Sequence, residues 1–144
     1  MPTDKKEREQ TLKELEQETR TIILYEAPHR LVKTLTLLAD RLGDREVTVC
    51  RELTKRYETA FRTTLTEAIR FYESTPVKGE CVLVLEGKKW ADIEQEEQEK
   101  WEQLSIEEHM ALYLTQGIEK KAAMKKVAAD RRVSKREIYN YLER

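Results

Sequence analysis

Three short segments carry the side chains most able to do chemistry. They are Tyr25-Glu26-Ala27-Pro28-His29-Arg30, Arg51-Glu52-Leu53-Thr54-Lys55 and Leu85-Glu86-Gly87. Each closes an apolar run, and ligands in open α/β sheets usually bind beyond the carboxyl ends of strands. One reading is a cleft formed by these three ends. The other is a structural network in which Glu26 and Glu52 pair with Arg30, Arg51 or Lys55. His29 is a candidate general base, or a capping and packing residue. Arg30, Arg51, Lys55, Arg56 and Arg62 form a basic cluster that suits phosphate contacts, or a solvated face. No Ser–His–Asp arrangement can be drawn from so few candidates. Two cysteines and two histidines make a structural zinc site improbable, and no metal ligands are assigned. The four glycines include none before Gly43, so no glycine-rich phosphate cradle can be drawn.

These segments need elements to position them. Thr21–Glu26 is short, β-branched and nearly all apolar, which predicts a strand buried on both faces. Pro28 suits the first turn of a helix. Leu31, Leu35, Leu38 and Leu42 then mark one helical face, and Gly43 ends it. Glu46–Arg51 reads as a second strand. A strand–helix–strand unit of this length implies a parallel pair with a right-handed crossover. Tyr57–Arg62 alternates like an edge or antiparallel strand. Thr64 with Glu67 forms a capping box for a helix carrying Leu65, Ala68, Ile69 and Tyr72 inward. Glu80–Glu86 is the most apolar stretch and reads as a central strand. Residues 20–87 thus follow the order β-α-β-β-α-β, an α/β sandwich. Before them, Asp4 and Glu7 cap a charged helix whose strongly apolar residues are only Leu12 and Leu15, the pattern of a connector or of the outer face of something larger.

The chain has 144 residues, 38% of them charged and 39% hydrophobic. That length fits one domain or one domain with an appendix. The net charge of −1 excludes a uniformly basic coat for nucleic acid. The charge is uneven, however. Residues 86–108 hold nine acids and three bases; residues 117–144 hold nine bases and four acids. A break between a folded core and a C-terminal module is expected in the acidic stretch. There is no apolar run long enough to span a membrane and no visible secretory leader, and Cys50 and Cys81 read as buried reduced thiols. A cytoplasmic protein without membrane attachment is expected.

The last forty residues read as all helical. Ser105 with Glu108 and Ser134 with Glu137 are capping boxes, and Gly117 stops the first helix. The run from Ala122 through Val133 to Tyr139 resembles a helix-turn-helix. Its second helix and tip carry Lys120, Lys121, Lys125, Lys126, Arg131 and Arg132, and the third helix carries Lys135, Arg136 and Asn140. The pattern favours nucleic-acid contact over a merely solvated face.

Three motifs point to one family. Tyr25-Glu26-Ala27-Pro28-His29-Arg30, Arg51-Glu52-Leu53-Thr54-Lys55-Arg56-Tyr57-Glu58 and Lys78-Gly79-Glu80-Cys81-Val82-Leu83-Val84-Leu85-Glu86-Gly87 resemble those of the bacterial ribosomal RNA small-subunit methyltransferase I family. Its members use S-adenosylmethionine to methylate the ribose 2′-hydroxyl of a cytidine in small-subunit ribosomal RNA. They have the fold of the tetrapyrrole methylase superfamily. The resemblance is close over residues 2–87 and looser over 105–144. It implies that residues 1–19 are a helical connector from a missing N-terminal domain. Residues 20–90 would be the α/β C-terminal subdomain of a methylase, with a mixed sheet and helices. Residues 91–104 would be an acidic linker and 105–144 a helix-turn-helix-like module. In the superfamily the cofactor lies between two domains, and nothing here matches the first. The fragment is therefore expected to be inactive alone.

The resemblance places Tyr25, Glu26, Leu53, Val84 and Leu85 against the cofactor. Glu52 is the nominal catalytic base. Arg30, Arg51, Thr54 and Lys55 would orient RNA or the reacting ribose, and Lys121, Lys125, Arg132, Lys135 and Arg136 would hold RNA. The implied partners are small-subunit ribosomal RNA and the missing N-terminal domain, with a homodimer for the full-length protein. Two alternatives stand: a nucleic-acid-binding module without catalysis, and half of a corrin or porphyrin methyltransferase. The basic tail argues against the latter, because a tetrapyrrole enzyme has no use for it.

Overall fold

A computed structural model describes residues 1–144. The chain divides into two compact units, Met1–Lys89 and Trp90–Arg144.

The first unit contains α1 (Lys5–Gln17), β1 (Ile22–Glu26), a 3-10 turn (Pro28–Arg30), α2 (Leu31–Leu42), β2 (Glu46–Arg51), β3 (Thr59–Thr64), α3 (Leu65–Ser74) and β4 (Cys81–Leu85). From β1 onward this is the anticipated β-α-β-β-α-β order. The four strands form one sheet in the order β1-β4-β2-β3. Every neighbouring pair is antiparallel. The α/β class holds, but the direct parallel pairing of β1 and β2 and the mixed sheet do not. β1 and β2 run the same way, but β4 lies between them. The reason is hydrophobic: Cys81, Leu83 and Leu85 are fully buried, and the central position gives this most apolar strand two partners.

One face of the sheet makes the core. Ile22, Val47, Val49, Cys81, Leu83 and Leu85 pack with Leu12 of α1, Leu31, Leu35 and Leu38 of α2, and Leu65, Ala68 and Tyr72 of α3. The opposite face leaves Ile23 and Tyr25 exposed, so the unit has two layers. Strand alternation decides this: Ile22 and Leu24 point to one side, Ile23 and Tyr25 to the other. The expectation of a β1 buried on both faces is therefore corrected. Of the two readings of α1, its packing in the first unit matches the outer face of something larger. Leu12 is 2% exposed in the core. Arg41 of α2 holds Glu9 and Glu16 of α1, both at 2.7 Å. Two apolar side chains are enough because ion pairs to α2 finish the docking.

Local chemistry sets the boundaries. The Asp4 side chain accepts the amides of Lys6 and Glu7 and starts α1. Gly43, at φ 82°, ends α2. Thr64 closes β3 and also caps α3 by accepting the Glu67 amide. The strand expected over 57–62 lies at 59–64, because the 52–58 segment turns instead. At Gly87 a Cβ would lie 2.3 Å from the Thr19 carbonyl oxygen and 2.4 Å from that of Arg20. Gly87→Ala is expected to destabilise the first unit by roughly 3 kcal/mol, since backbone must move to admit the methyl. Urea denaturation followed by circular dichroism checks this; an unchanged midpoint would contradict the close approach.

The second unit contains α4 (Trp90–Glu102), α5 (Ile106–Leu114), α6 (Lys120–Arg131) and α7 (Lys135–Leu142). The acidic stretch 91–104, expected to be a linker, is mostly the helix α4. Arg131 of α6 donates to the carbonyls of Trp101 and Leu104, and Arg132 pairs with Glu94 at 3.0 Å. The charge run hid these attachments, which use backbone carbonyls and one aromatic ring rather than an apolar stripe. Met110, Ala123, Met124, Val127, Ala128 and Ile138 form the core of this unit. Both serine capping boxes are formed. Arg132, at φ 56°, closes α6 in the left-handed conformation and starts the turn into α7. No helix is long and apolar enough to cross a membrane.

Candidate functional site

The antiparallel β4 decides which segments meet. Glu26, Cys81 and Arg51 lie side by side across β1, β4 and β2, and Thr59 of β3 completes the row. The first two motifs therefore do come together, at the carboxyl ends of β1 and β2. Leu85-Glu86-Gly87 does not join them. Leu85 pairs with Ile22 and Val47 at the other end of the sheet and is fully buried. The expected third strand end is replaced by the entry to β4, Lys78-Gly79-Glu80-Cys81. Val84 lies on the open face, half-buried, opposite Ile23 and Thr48.

Glu26 is 6% exposed. It accepts the Ala27 amide at 3.0 Å and the Thr34 hydroxyl at 2.6 Å, with Arg30 at 3.7 Å. This carboxylate holds the 3-10 turn against β1 and α2. Of the two readings offered for it, the structural network describes its side chain. His29 stands exposed on that turn.

The 52–58 segment is strained. Glu52 and Thr54 have φ of 53° and 62°, although neither is glycine. Such conformations cost of order 1 kcal/mol each and cluster at functional sites. The segment is held by the Lys55 amide donating to the Glu52 carbonyl at 3.0 Å and the Glu58 amide donating to the Lys55 carbonyl at 3.3 Å. Its neighbour across the sheet end is Gly79, at φ 80°. The Glu52 carboxylate fills the space where a Gly79 side chain would stand, 1.6 Å from an added Cβ. The glycine of one motif and the glutamate of another thus require each other. Arg51 donates to the Lys78 carbonyl at 2.9 Å, joining the same two segments. Its Nε is buried with no hydrogen-bond partner, which is rare enough to mark a place for an added acceptor.

Tyr25, Glu26, Ala27, Pro28, Glu80 and Cys81 line a recess of about 240 Å³ beside this row. Burial pushes the Cys81 thiol up from its ordinary range, so it is not an activated nucleophile. Lys55 pairs with Glu52 at 3.6 Å, and Leu53, Thr54 and Lys55 are exposed. Tyr57, expected at the start of a strand, stands in the turn before β3. It is 74% exposed, with the Arg56 guanidinium 5.7 Å from its ring centre.

In the second unit, Lys121, Lys125, Lys135 and Arg136 are exposed, and Arg132 is more than half exposed despite its pair with Glu94. Behind them lies a buried polar cluster that the sequence did not reveal. His109 is fully buried. Its Nδ1 accepts from Arg131 Nε at 3.0 Å, and its Nε2 donates to Asp130 at 3.0 Å. Tyr113 donates to the same Asp130 oxygen. Trp101 stacks on the imidazole at 4.2 Å. Burial first, then the adjacent Arg131 charge, lower the His109 pKa, outweighing Asp130. The bond to Asp130 pushes the Tyr113 phenol up to about 12.

These two shifts define a pH window. His109 binds its proton more readily when unfolded, so its contribution is complete above about pH 6.5 and is lost as pH falls below that value. Tyr113 holds its proton more tightly when folded, so its contribution is complete below about pH 10 and is lost as pH rises from 10 toward 12. Denaturation monitored by tryptophan fluorescence checks the window, because both tryptophans, Trp90 and Trp101, lie in the second unit. Equal stability at pH 5 and pH 8 would contradict it.

Comparison with known proteins finds relatives over most of the chain. Residues 1–69 match the family model of the Tetrapyrrole (Corrin/Porphyrin) Methylases. A Bacillus subtilis protein, "Ribosomal RNA small subunit methyltransferase I", is 46% identical over 136 residues, which are 94% of this chain and 46% of that protein. The protein of the same name from Halalkalibacterium halodurans is 44% identical over 140 residues, 97% of this chain and 48% of its own. That from Synechocystis is 36% identical over 140 residues, 96% of this chain and 48% of its own. The chain thus spans about half the length of these curated relatives. By its sequence, carried on this α/β unit and its helical extension, the chain is similar over nearly its whole length to the ribosomal RNA small subunit methyltransferase I proteins, and its first 69 residues match the tetrapyrrole methylase model.

Proposed function

We propose that this chain is the C-terminal part of an S-adenosylmethionine-dependent methyltransferase acting on the ribose 2′-hydroxyl of small-subunit ribosomal RNA. It would work in the cytoplasm, as a homodimer when full length. The observation that carries this reading is the meeting of the motifs at one sheet end, around Glu52, Gly79 and the unpartnered Arg51 Nε.

The fit to the cofactor is partial. Pockets for complete small molecules usually measure roughly 300–1,000 Å³, and the recess holds about 240 Å³. It has room for part of S-adenosylmethionine, with Tyr25 and the backbone of Glu26 and Ala27 along one wall. Leu53 lies in the adjoining loop. Val84 would take part from the open sheet face, whereas Leu85 has no exposed surface to offer. A second domain would complete the site, and the chain alone would be inactive.

S-adenosylmethionine supplies a methyl group made electrophilic by its sulfonium. This chain's task is to present the ribose and remove a proton. Thr54 and Lys55 stand exposed to meet the RNA backbone, and Arg30 and Arg51 frame the sheet end behind them. Glu52 is the base we assign to the hydroxyl proton, because the left-handed backbone fixes its carboxylate over Gly79. In the second unit Lys121, Lys125, Arg132, Lys135 and Arg136 hold RNA.

The test is methyl transfer from labelled S-adenosylmethionine to small-subunit ribosomal RNA by the full-length enzyme. Alkaline hydrolysis follows, since methylation of a 2′-hydroxyl blocks cleavage at that nucleotide. Label in alkali-resistant dinucleotides supports the proposal; label only in mononucleotides places the methyl on a base and refutes the 2′-O reading. Transfer only to a tetrapyrrole would favour the corrin or porphyrin alternative. No transfer at all, with RNA still bound, would leave a nucleic-acid-binding module.

A further inference from the structure

We infer that α7 takes an unpaired nucleobase of RNA, stacked on Tyr139, rather than the groove of a duplex. The inference rests on the proposal that the second unit meets RNA. α7 is buried through Ile138, which is 1% exposed, with Leu142 packed beside it. Its other side presents Lys135, Arg136, Tyr139 and Asn140 to solvent, and Tyr139 is 53% exposed.

In a helix-turn-helix the second helix reads the wide major groove of DNA. The major groove of an RNA duplex is too deep and narrow for side chains to read. Paired RNA is met mainly through its shape, 2′-hydroxyls and phosphates, so a helix in this position that reads RNA bases does so where they are unpaired. Splayed bases are held by stacking on aromatic rings and by polar groups on their edges. α7 offers that set. Tyr139 gives the ring, Lys135 sits one turn before it for a flanking phosphate, and Arg136 and Asn140 are the adjoining cation and amide. Glu143, at the C-terminal cap, limits how far an RNA backbone can follow the helix. The set also answers a conflict in the sequence, a fold type associated with DNA attached to a family associated with RNA.

Fluorescence anisotropy of the whole 144-residue chain tests this, using three fluorescein-labelled probes. These are an RNA hairpin with an unpaired pyrimidine loop, a fully paired RNA of the same length, and the matching DNA duplex. Preferred binding of the looped hairpin is expected. Tyr139→Ala should weaken the hairpin about tenfold and leave the paired RNA unchanged, because the ring serves only the stacked base. Tyr139→Phe should bind like the parent. Tyr139→Leu keeps apolar bulk without a π face and should behave like Tyr139→Ala, which separates stacking from any packing defect. Equal losses on looped and paired RNA, no loss on either, or tightest binding to the DNA duplex would overturn the inference while leaving nucleic-acid contact intact. Failure of all three probes to bind would overturn both it and the RNA-holding role on which it rests.

Discussion

Asp130→Ala is expected to destabilise the helical unit by about 3 kcal/mol. The Asp130 Oδ2 atom accepts from both His109 Nε2 and the Tyr113 hydroxyl. Removing it leaves two donors without a partner, one of them on a fully buried imidazole. Each unsatisfied buried group costs roughly 1–3 kcal/mol. Asp130→Asn keeps one acceptor oxygen and should lose about half as much. Urea unfolding read by tryptophan fluorescence isolates this unit. Because Asp130 raises the His109 pKa against the effect of burial, its loss should also deepen the pH dependence below 6.5 as long as Trp101 keeps the imidazole covered. A loss under about 1 kcal/mol would mean that water replaces the carboxylate freely and that the cluster does not hold α5 and α6 together.

Lys125→Ala combined with Lys135→Ala is expected to weaken RNA binding by about 25-fold at 0.1 M salt. Each phosphate contact contributes about 0.7 to the slope of log K against log salt for single-stranded nucleic acid. Loss of two makes the slope shallower by about 1.4, which converts to that factor against a 1 M reference. Both lysines are exposed, so folding should be unaffected. An unchanged slope with reduced affinity would show that these residues act through the fold and not on phosphate.

How much of this could be read from the sequence depends on the kind of interaction. The order of elements from β1 to β4 was legible, because apolar runs and helical leucine spacing report burial directly. The pairing of strands was not. Nothing in Glu46–Arg51 or Cys81–Leu85 states which neighbour each takes, and the preference of β4 for the centre emerges only when all four strands compete. That single error moved Leu85 and Gly87 to the wrong end of the sheet and hid Gly79 as the partner of Glu52. The docking of α4 was illegible for another reason. It relies on Arg131 reaching backbone carbonyls and on a histidine–tryptophan stack, and neither leaves a periodic trace. The capping boxes at Ser105 and Ser134 were readable because a cap is local. The functional motifs were legible as words, but their mutual geometry was not.

On the proposed function, this chain carries part of a cofactor site completed by another domain. Calorimetric titration of S-adenosylmethionine tests it most directly, first into the chain alone and then with the unmatched segment of the Bacillus subtilis relative added. Binding no tighter than roughly millimolar is expected for the chain alone, and roughly micromolar once the folded segment is present. Micromolar binding by the chain alone would contradict it, because residues 1–89 would then hold a complete site.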